Sequence, residues 1–178
     1  KKQAEQIEKI ANVNGVVEVR IAKTAQEADD LWAIRRALSP AVGALAPDRV
    51  SEDISVPRNE FPEIVRRIRT IVNKYNLDFA VYGHAGDGNL HPSILCDMSD
   101  PEQAKVVHKA VDEVFAATLE LGGTLSGEHG IGITKQNYLQ DALGEAGVDV
   151  LKSIKKALDP KGILNPGKVW PEEEAIHE

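Results

Sequence analysis

The link between two apolar segments, residues 77–82 and 90–96, restricts the fold of this chain more than any other feature. A parallel pair of strands needs a crossover of about a dozen residues or more, and this link is much shorter. Gly86 and Gly88 inside the link permit the positive φ angles and close backbone approach of a tight turn. The two segments are therefore predicted to form neighbouring antiparallel strands, which disfavours a doubly wound parallel sheet.

Two further segments, residues 15–22 and 50–56, alternate apolar and polar side chains and are predicted to be half-buried strands. Predicted helices separate the first three strands, and the one at about residues 59–75 is strongly amphipathic. Four strands with interleaved helices predict an α+β fold of the ferredoxin-like type, with an antiparallel or mixed sheet and the helices packed on one face.

Capping residues mark the predicted helix boundaries. Thr24, with Glu27 three residues later, predicts a capping box at the start of a helix that Pro40 should end. The stretch 100–103, Asp-Pro-Glu-Gln, predicts another start with a reciprocal cap. Apolar periodicity predicts the remaining helices, at about residues 59–75 and 146–158, with a short one in residues 1–12.

Length and composition limit the domain organisation and the location. The 178 residues suit one domain, which we expect over residues 15–170, after a lead-in segment (1–14) and before a frayed acidic tail (171–178). A net charge of −7 argues against nucleic-acid binding. No apolar run is long enough to span a bilayer, and no secretory signal is visible. With a single cysteine, Cys96, the chain is expected in the cytoplasm, with any membrane association made through a partner.

Three of the five histidines lie in two glycine-rich segments, residues 82–91 and 126–132. His84 and His91 can converge from the two arms of the hairpin, and Glu128 would add a third ligand. Imidazole nitrogen and carboxylate oxygen bind zinc, manganese or iron, and three protein ligands leave a position open for water or substrate. The alternative is a plain hairpin turn flanked by histidines, and the spacing does not separate the two interpretations.

His129 follows Glu128 and is a candidate general base, since the ordinary pKa of histidine lies near neutral pH. The alternative is a histidine that only hydrogen-bonds to the site. Asp87 sits in an Asp-Gly turn, which favours a turn role over metal ligation. His108 lies beside the apolar stripe of a helix and is interpreted as a packing or surface residue.

Several stretches resemble the C-terminal part of FAD-linked 2-hydroxy acid oxidases and dehydrogenases, a family that includes glycolate oxidase, D-lactate dehydrogenase and D-2-hydroxyglutarate dehydrogenase types. The motifs GHAGDGNLH (83–91), GEHGIG (127–132) and DPKGILNPGK (159–168) carry the resemblance. Residues 32–35 and 52–57 add to it in the same order, so the resemblance covers nearly the whole chain.

The resemblance implies that FAD is bound mainly by a separate N-terminal domain of the same protein, which the present domain would cap. It also implies a divalent metal, for which zinc is our expectation, and an electron-acceptor subunit as a further partner. The resemblance assigns metal ligation to His84, His91 and Glu128. It assigns proton abstraction and a flavin contact to His129. It further assigns binding of the substrate carboxylate to Arg35 and a flavin contact to Asn165. Residue type alone would also suit a helix-surface arginine at Arg35 and a turn residue at Asn165.

Two departures bear on the substrate. Ser51 and Ser93 stand where the 2-hydroxyglutarate enzyme has a lysine and an asparagine. Both differences favour a small 2-hydroxy acid, D-lactate or glycolate, over a substrate with a distal carboxylate. The expected function is the substrate- and metal-binding domain of an FAD-dependent enzyme that oxidises such an acid to the 2-oxo acid. A stand-alone metal-dependent hydrolase and a non-catalytic binding or assembly module remain the alternatives.

Overall fold

The computed structural model describes residues 2–12 and 15–170, and the chain divides into two compact units, Lys1–Ala44 and Leu45–Glu178. The first unit contains helix α1, Lys2–Ala11, and helix α2, Ala25–Gly43. The capping box at the start of α2 is confirmed. The backbone N–H of Glu27 donates to the Thr24 hydroxyl at 3.2 Å, and the Glu27 carboxylate accepts from the Thr24 backbone N–H at 3.3 Å.

Two predictions in this unit were wrong. Residues 15–22 form no strand, because a strand needs a hydrogen-bonded neighbour and none of the described strands pairs with this segment. Helix α2 also runs through Pro40 to Gly43. A proline removes one backbone donor, and the last turn is still closed because the Ala44 N–H donates to the carbonyl of Ala41 at 3.2 Å.

The second unit is built on an antiparallel sheet with β4, Asn89–Cys96, at its centre. Strand β3, Asp78–His84, pairs along one edge of β4, which confirms the predicted hairpin. Strands β1, Asp48–Ser51, and β2, Ile54–Ser55, pair in succession along the other edge. The predicted strand 50–56 is therefore interrupted at residues 52–53, where Asp53 is fully buried and its side chain holds another segment of the chain.

Helix α3, Phe61–Lys74, follows a 3-10 turn at Arg58–Glu60, and helix α4, Pro101–Glu120, follows β4. Both helices pack on the sheet and on each other, and a core of aliphatic side chains with Phe115 fills the space between them. An isolated bridge, Ser55 to Thr124, adds a single pair at the far edge of the sheet. This arrangement confirms the α+β fold with helices on one face of an antiparallel sheet.

The remaining helix boundaries differ in detail from the prediction. The Asp100 side chain accepts from the backbone N–H of Glu102 at 2.9 Å, but Gln103 accepts from the backbone of Asp97, so the cap is not reciprocal. Helix α5 spans Leu139–Leu158 after a 3-10 turn at Gln136–Tyr138. It begins earlier than predicted. Gly144, with φ of 68°, interrupts the helical backbone, so the apolar periodicity of the later residues does not extend back to Leu139.

Among the described residues, no helix is both long and apolar enough to cross a membrane. The predicted boundary near residue 14 and the predicted frayed tail, 171–178, fall on residues outside the described part of the chain. Those domain limits therefore stay predictions.

Gly88 closes the β3–β4 hairpin at φ of 75°, and a methyl group there would collide with the carbonyl oxygen of Val56. Gly88→Ala is therefore expected to lower the free energy of unfolding by about 1–3 kcal/mol. Gly86 lies in the same turn with open space around it, so Gly86→Ala should leave stability unchanged or raise it by up to about 1 kcal/mol. Urea denaturation of both variants measures the difference, and equal stabilities would contradict the strained turn.

Candidate functional site

The face of the sheet that points away from the helices carries the candidate site. Leu90 and Ile94 of β4 belong to the core, so His91, which alternates with them, points to the opposite face. Tyr82 and His84 of β3 share that face, with Tyr82 directly opposite His91 in the register. The hairpin thus brings two imidazoles together, with ring centroids 5.6 Å apart.

The buried carboxylate of Asp53 organises the loop that crosses this face. One of its oxygens, Oδ2, accepts from three consecutive backbone N–H groups, those of residues 127–129, at 2.9, 3.0 and 2.8 Å. The same oxygen accepts from the Ser126 hydroxyl at 2.7 Å, while Oδ1 accepts from the Asn89 side-chain amide at 2.6 Å. Sequence reasoning included Asp53 only in a matching stretch and missed this role.

The pKa of Asp53 reflects these contacts. Burial by itself would raise the pKa of the carboxyl, but the hydrogen bonds from His129, Glu128, Ser126 and Asn89 favour the charged form. Together they hold the pKa of Asp53 well below its usual range. The carboxylate therefore stays ionised at neutral pH and keeps all of its donors.

Gly127 lies directly against the side chain of Asn89. A methyl group at this position would collide with the side-chain amide of Asn89, which itself donates to Asp53. Only glycine fits there without moving the amide, which gives a physical reason for the first glycine of the Gly-Glu-His-Gly motif.

The loop held by Asp53 carries Glu128 to the two histidines of the hairpin. The Glu128 Oε1 atom lies 3.1 Å from Nε2 of His91 and 3.6 Å from Nε2 of His84. The structure thus brings together the three residues that the sequence suggested as metal ligands. His84 and Glu128 are exposed, so the cluster opens to the outside of the domain. Their role as ligands stays a prediction.

His91 is the buried member of the cluster. Burial lowers the pKa of its imidazole, while the charge of Asp53 opposes that shift, so the neutral ring is favoured at neutral pH. Its Nδ1 atom is buried without a hydrogen-bond partner among the described residues and lies 3.8 Å from Oδ1 of Asp53. A small movement would therefore let Nδ1–H donate to Asp53 and leave the Nε2 lone pair for a ligand.

Asp53, His91 and His129 form a second group of potential ligands. This group is the weaker candidate, because both oxygens of Asp53 already accept hydrogen bonds from the loop or from Asn89. Using Asp53 as a metal ligand would compete with the contacts that hold Glu128 in place.

His129 lies at the edge of the cluster with its imidazole exposed. Its ring stacks on that of His91, with centroids 5.1 Å apart and planes inclined by 12°. Its Nε2 atom is 3.8 Å from the Glu128 carboxylate. Adjacent positions in the loop thus direct one carboxylate toward both hairpin histidines and keep one imidazole accessible, which suits a base beside a binding site.

The other predicted site residues belong to other segments of the chain. Arg35 is half-buried in α2, in the first unit, and its carboxylate-binding role stays a prediction. Asn165 is exposed with φ of 48°, in a turn whose N–H groups at residues 163 and 164 donate to Asp159. That geometry supports a turn role for Asn165, and its flavin contact stays a prediction. Asp87 is exposed in the hairpin turn and belongs to neither group of potential ligands.

Comparison with known proteins defines the class. Residues 1–169 match the family described as FAD linked oxidases, C-terminal domain, and the chain belongs to that family.

The curated relatives agree with this assignment. The chain is 42% identical to the glycolate oxidase subunit GlcD of Bacillus subtilis (strain 168), over 93% of its own length and 35% of the relative. It is 36% identical to a D-lactate dehydrogenase of Anaerostipes hadrus, over 93% of this chain and 35% of that protein. The chain therefore spans about a third of the length of these relatives.

A solved structure shows the same fold at low sequence identity. The 4-ethylphenol oxidase from Gulosibacter chungangensis superposes with a TM-score of 0.60 and 22% identity, covering 96% of this chain and 37% of that chain.

Asp53→Asn tests the carboxylate that holds the loop. Either orientation of the amide turns an N–H group toward a donor, so the variant should lose about 2–3 kcal/mol of unfolding free energy at pH 7. Because the folded pKa of Asp53 is depressed, its contribution is complete above the unfolded-state pKa of about 3.9 and is lost as the pH falls toward the folded pKa. The difference between wild type and variant should therefore shrink below about pH 4.

The matched control is Asp87→Asn, because Asp87 is an exposed aspartate in the neighbouring hairpin turn. It should change stability by less than about 0.5 kcal/mol. Urea titrations at several pH values measure both variants, and an Asp53→Asn protein as stable as wild type at pH 7 would refute the role of this carboxylate.

Proposed function

We propose that this chain is the substrate- and metal-binding domain of an FAD-dependent oxidoreductase that converts a small 2-hydroxy acid, D-lactate or glycolate, to the 2-oxo acid. The observation that carries the proposal is the approach of the Glu128 carboxylate to two imidazoles, His84 and His91, on an open face of the sheet. Membership of the family and the names of the relatives support the reaction class.

The donor set fits a divalent metal, and zinc is the ion we expect. Bonds of about 2.0–2.2 Å in a tetrahedral zinc site separate ligand atoms by about 3.3 Å. The Glu128 Oε1 atom lies 3.1 and 3.6 Å from the two imidazole nitrogens, which is close to that spacing. The Asp53 carboxylate, 3.8 Å from Nδ1 of His91, would supply the outer contact that orients His91 after a small movement. When bound, the metal would act as a Lewis acid toward oxygens of the substrate.

Each of the other residues would have a separate task. Arg35 would bind the substrate carboxylate through two parallel N–H donors and so orient the α-carbon. His129 would accept the hydroxyl proton at a ring nitrogen, while the α-hydrogen leaves as hydride with its electron pair. FAD, held mainly by a separate domain, supplies the hydride acceptor, and Asn165 and His129 would lie beside it. A partner subunit would then take up the electrons.

The first test concerns the metal. Wild-type protein is expected to contain close to one zinc per chain by elemental analysis, and His84→Ala should lose it because one of three ligands is gone. His108→Ala is the matched control, since His108 is an exposed histidine on α4 and should leave the metal content unchanged. Equal zinc in wild type and His84→Ala would exclude this ligand set.

The second test concerns the base, in protein that carries the FAD-binding domain. His129→Ala should reduce turnover of D-lactate or glycolate by about 10²–10⁴, because loss of a general base has that effect. Its metal content should stay at the wild-type level, and His108→Ala should retain activity. Unchanged turnover, or loss of metal together with activity, would show that His129 is not the base. Ester or peptide hydrolysis by the chain would instead favour a metal-dependent hydrolase.

A further inference from the structure

A buried lysine, Lys135, contacts the segments that support the candidate site but has no role in the proposed reaction. Lys135 exposes only 4% of its surface and sits in the turn before α5. A buried ammonium is unfavourable unless its protons are taken up by partners, so the partners of Lys135 indicate what the residue does.

The first partner arises from the interruption between β1 and β2. The backbone carbonyl of Asp53 accepts from the Lys135 ammonium at 2.7 Å. Asp53 lies between the two short strands rather than in either of them. Lys135 thus supplies a donor to a buried carbonyl at the break in the edge strand.

The second partner is the backbone carbonyl of Leu125, which accepts from the same ammonium at 2.7 Å. Leu125 is buried and directly precedes the loop whose N–H groups bind the Asp53 carboxylate. One ammonium therefore joins the Asp53 segment to the residue that leads into the loop carrying Glu128.

A carboxylate and an aromatic ring complete the surroundings of Lys135. The Glu52 carboxylate lies 3.5 Å from Nζ of Lys135, and the Phe115 ring centroid lies 5.5 Å away. Burial raises the pKa of Glu52, and the charge of Lys135 opposes that shift. The ammonium thus has a carboxylate and an aromatic ring nearby in addition to its two carbonyl partners.

We propose that Lys135 is a positioning residue that joins Asp53 to the start of the Gly-Glu-His-Gly loop and thereby sets the distance from Glu128 to His84 and His91. This inference rests on the proposed metal site. Its effect on the loop itself can be measured whether or not a metal binds.

The experiment uses the 178-residue chain and the variant Lys135→Met, which has a side chain of similar length but no donor. Amide hydrogen exchange at residues 127–129 should accelerate by about 10-fold or more relative to the amides of the β3–β4 hairpin, because the loop loses its second attachment. Zinc affinity, measured by titration with zinc alone, should fall by about 10–100-fold, as for other outer contacts of metal ligands.

Lys74→Met is the matched control. Lys74 also pairs with a glutamate, Glu113, at 2.6 Å and lies 4.9 Å from the ring centroid of Tyr75, but it sits on the outer surface of α3. It should change neither the exchange at residues 127–129 nor the zinc affinity. If wild-type protein takes up no zinc while the loop still loosens in Lys135→Met, the metal site is refuted and the positioning role stands.

A second variant covers the case in which Lys135→Met does not fold. Glu52→Gln leaves the ammonium and both carbonyl bonds in place while removing the nearby charge. This variant is expected to lower the free energy of unfolding. Amide exchange at residues 127–129, measured relative to the hairpin, and zinc affinity should both stay within about threefold of wild type. Loop exchange that is unchanged in Lys135→Met, or lost as strongly in Glu52→Gln, would overturn the proposal.

Discussion

The structure of the candidate site depends on one buried carboxylate. Asp53 lies where the edge strand is interrupted, and its oxygens take up five hydrogen bonds from Asn89, Ser126 and the N–H groups of residues 127–129. An isolated ionised carboxylate in this position would be strongly unfavourable, but one surrounded by donors is stable and rigid. The hydrogen bonds to the carboxylate fix the backbone of the loop, and the loop backbone sets the position of the Glu128 side chain.

The hairpin supplies the other half of the site. Antiparallel pairing of β3 and β4 sets His84 and His91 on one face at a separation that the register determines. Because side chains alternate along a strand, Leu90 and Ile94 of β4 point to the other face and join the core. The same two strands therefore stabilise the domain with one face and present imidazoles with the other. A shift of one residue in the register would exchange the two faces and remove both properties.

The site contains more buried polar groups than a stable core needs. Asp53, His91 and Lys135 are all nearly inaccessible to solvent, and Glu52 is mostly buried beside them. Replacing such groups with apolar residues is often neutral or favourable for stability, so stability alone does not explain them. Their arrangement is better understood as a rigid support for an open cluster of ligand-type side chains, because Asp53 and Lys135 bond to the backbone of the Glu128 loop and of the residue leading into it.

Sequence alone identified the hairpin, most helix starts and the set of ligand-type residues, because these depend on local signals. Turn glycines, capping side chains and apolar periodicity act over a few residues and are visible in the chain itself. The false strand at 15–22 and the undivided strand at 50–56 show the limit, since alternation does not reveal whether a neighbouring strand exists.

The positions of Asp53 and Lys135 were decided by the tertiary structure. Each of them makes at least one contact between residues more than seventy positions apart in the chain. Neither residue type signals such a role locally, because an aspartate near a strand end and a lysine in a turn are ordinary surface residues until folding buries them. Burial and the partners that make it tolerable exist only in the folded chain. The sequence therefore determined which chemical groups were available, and the packing determined which of them support the site.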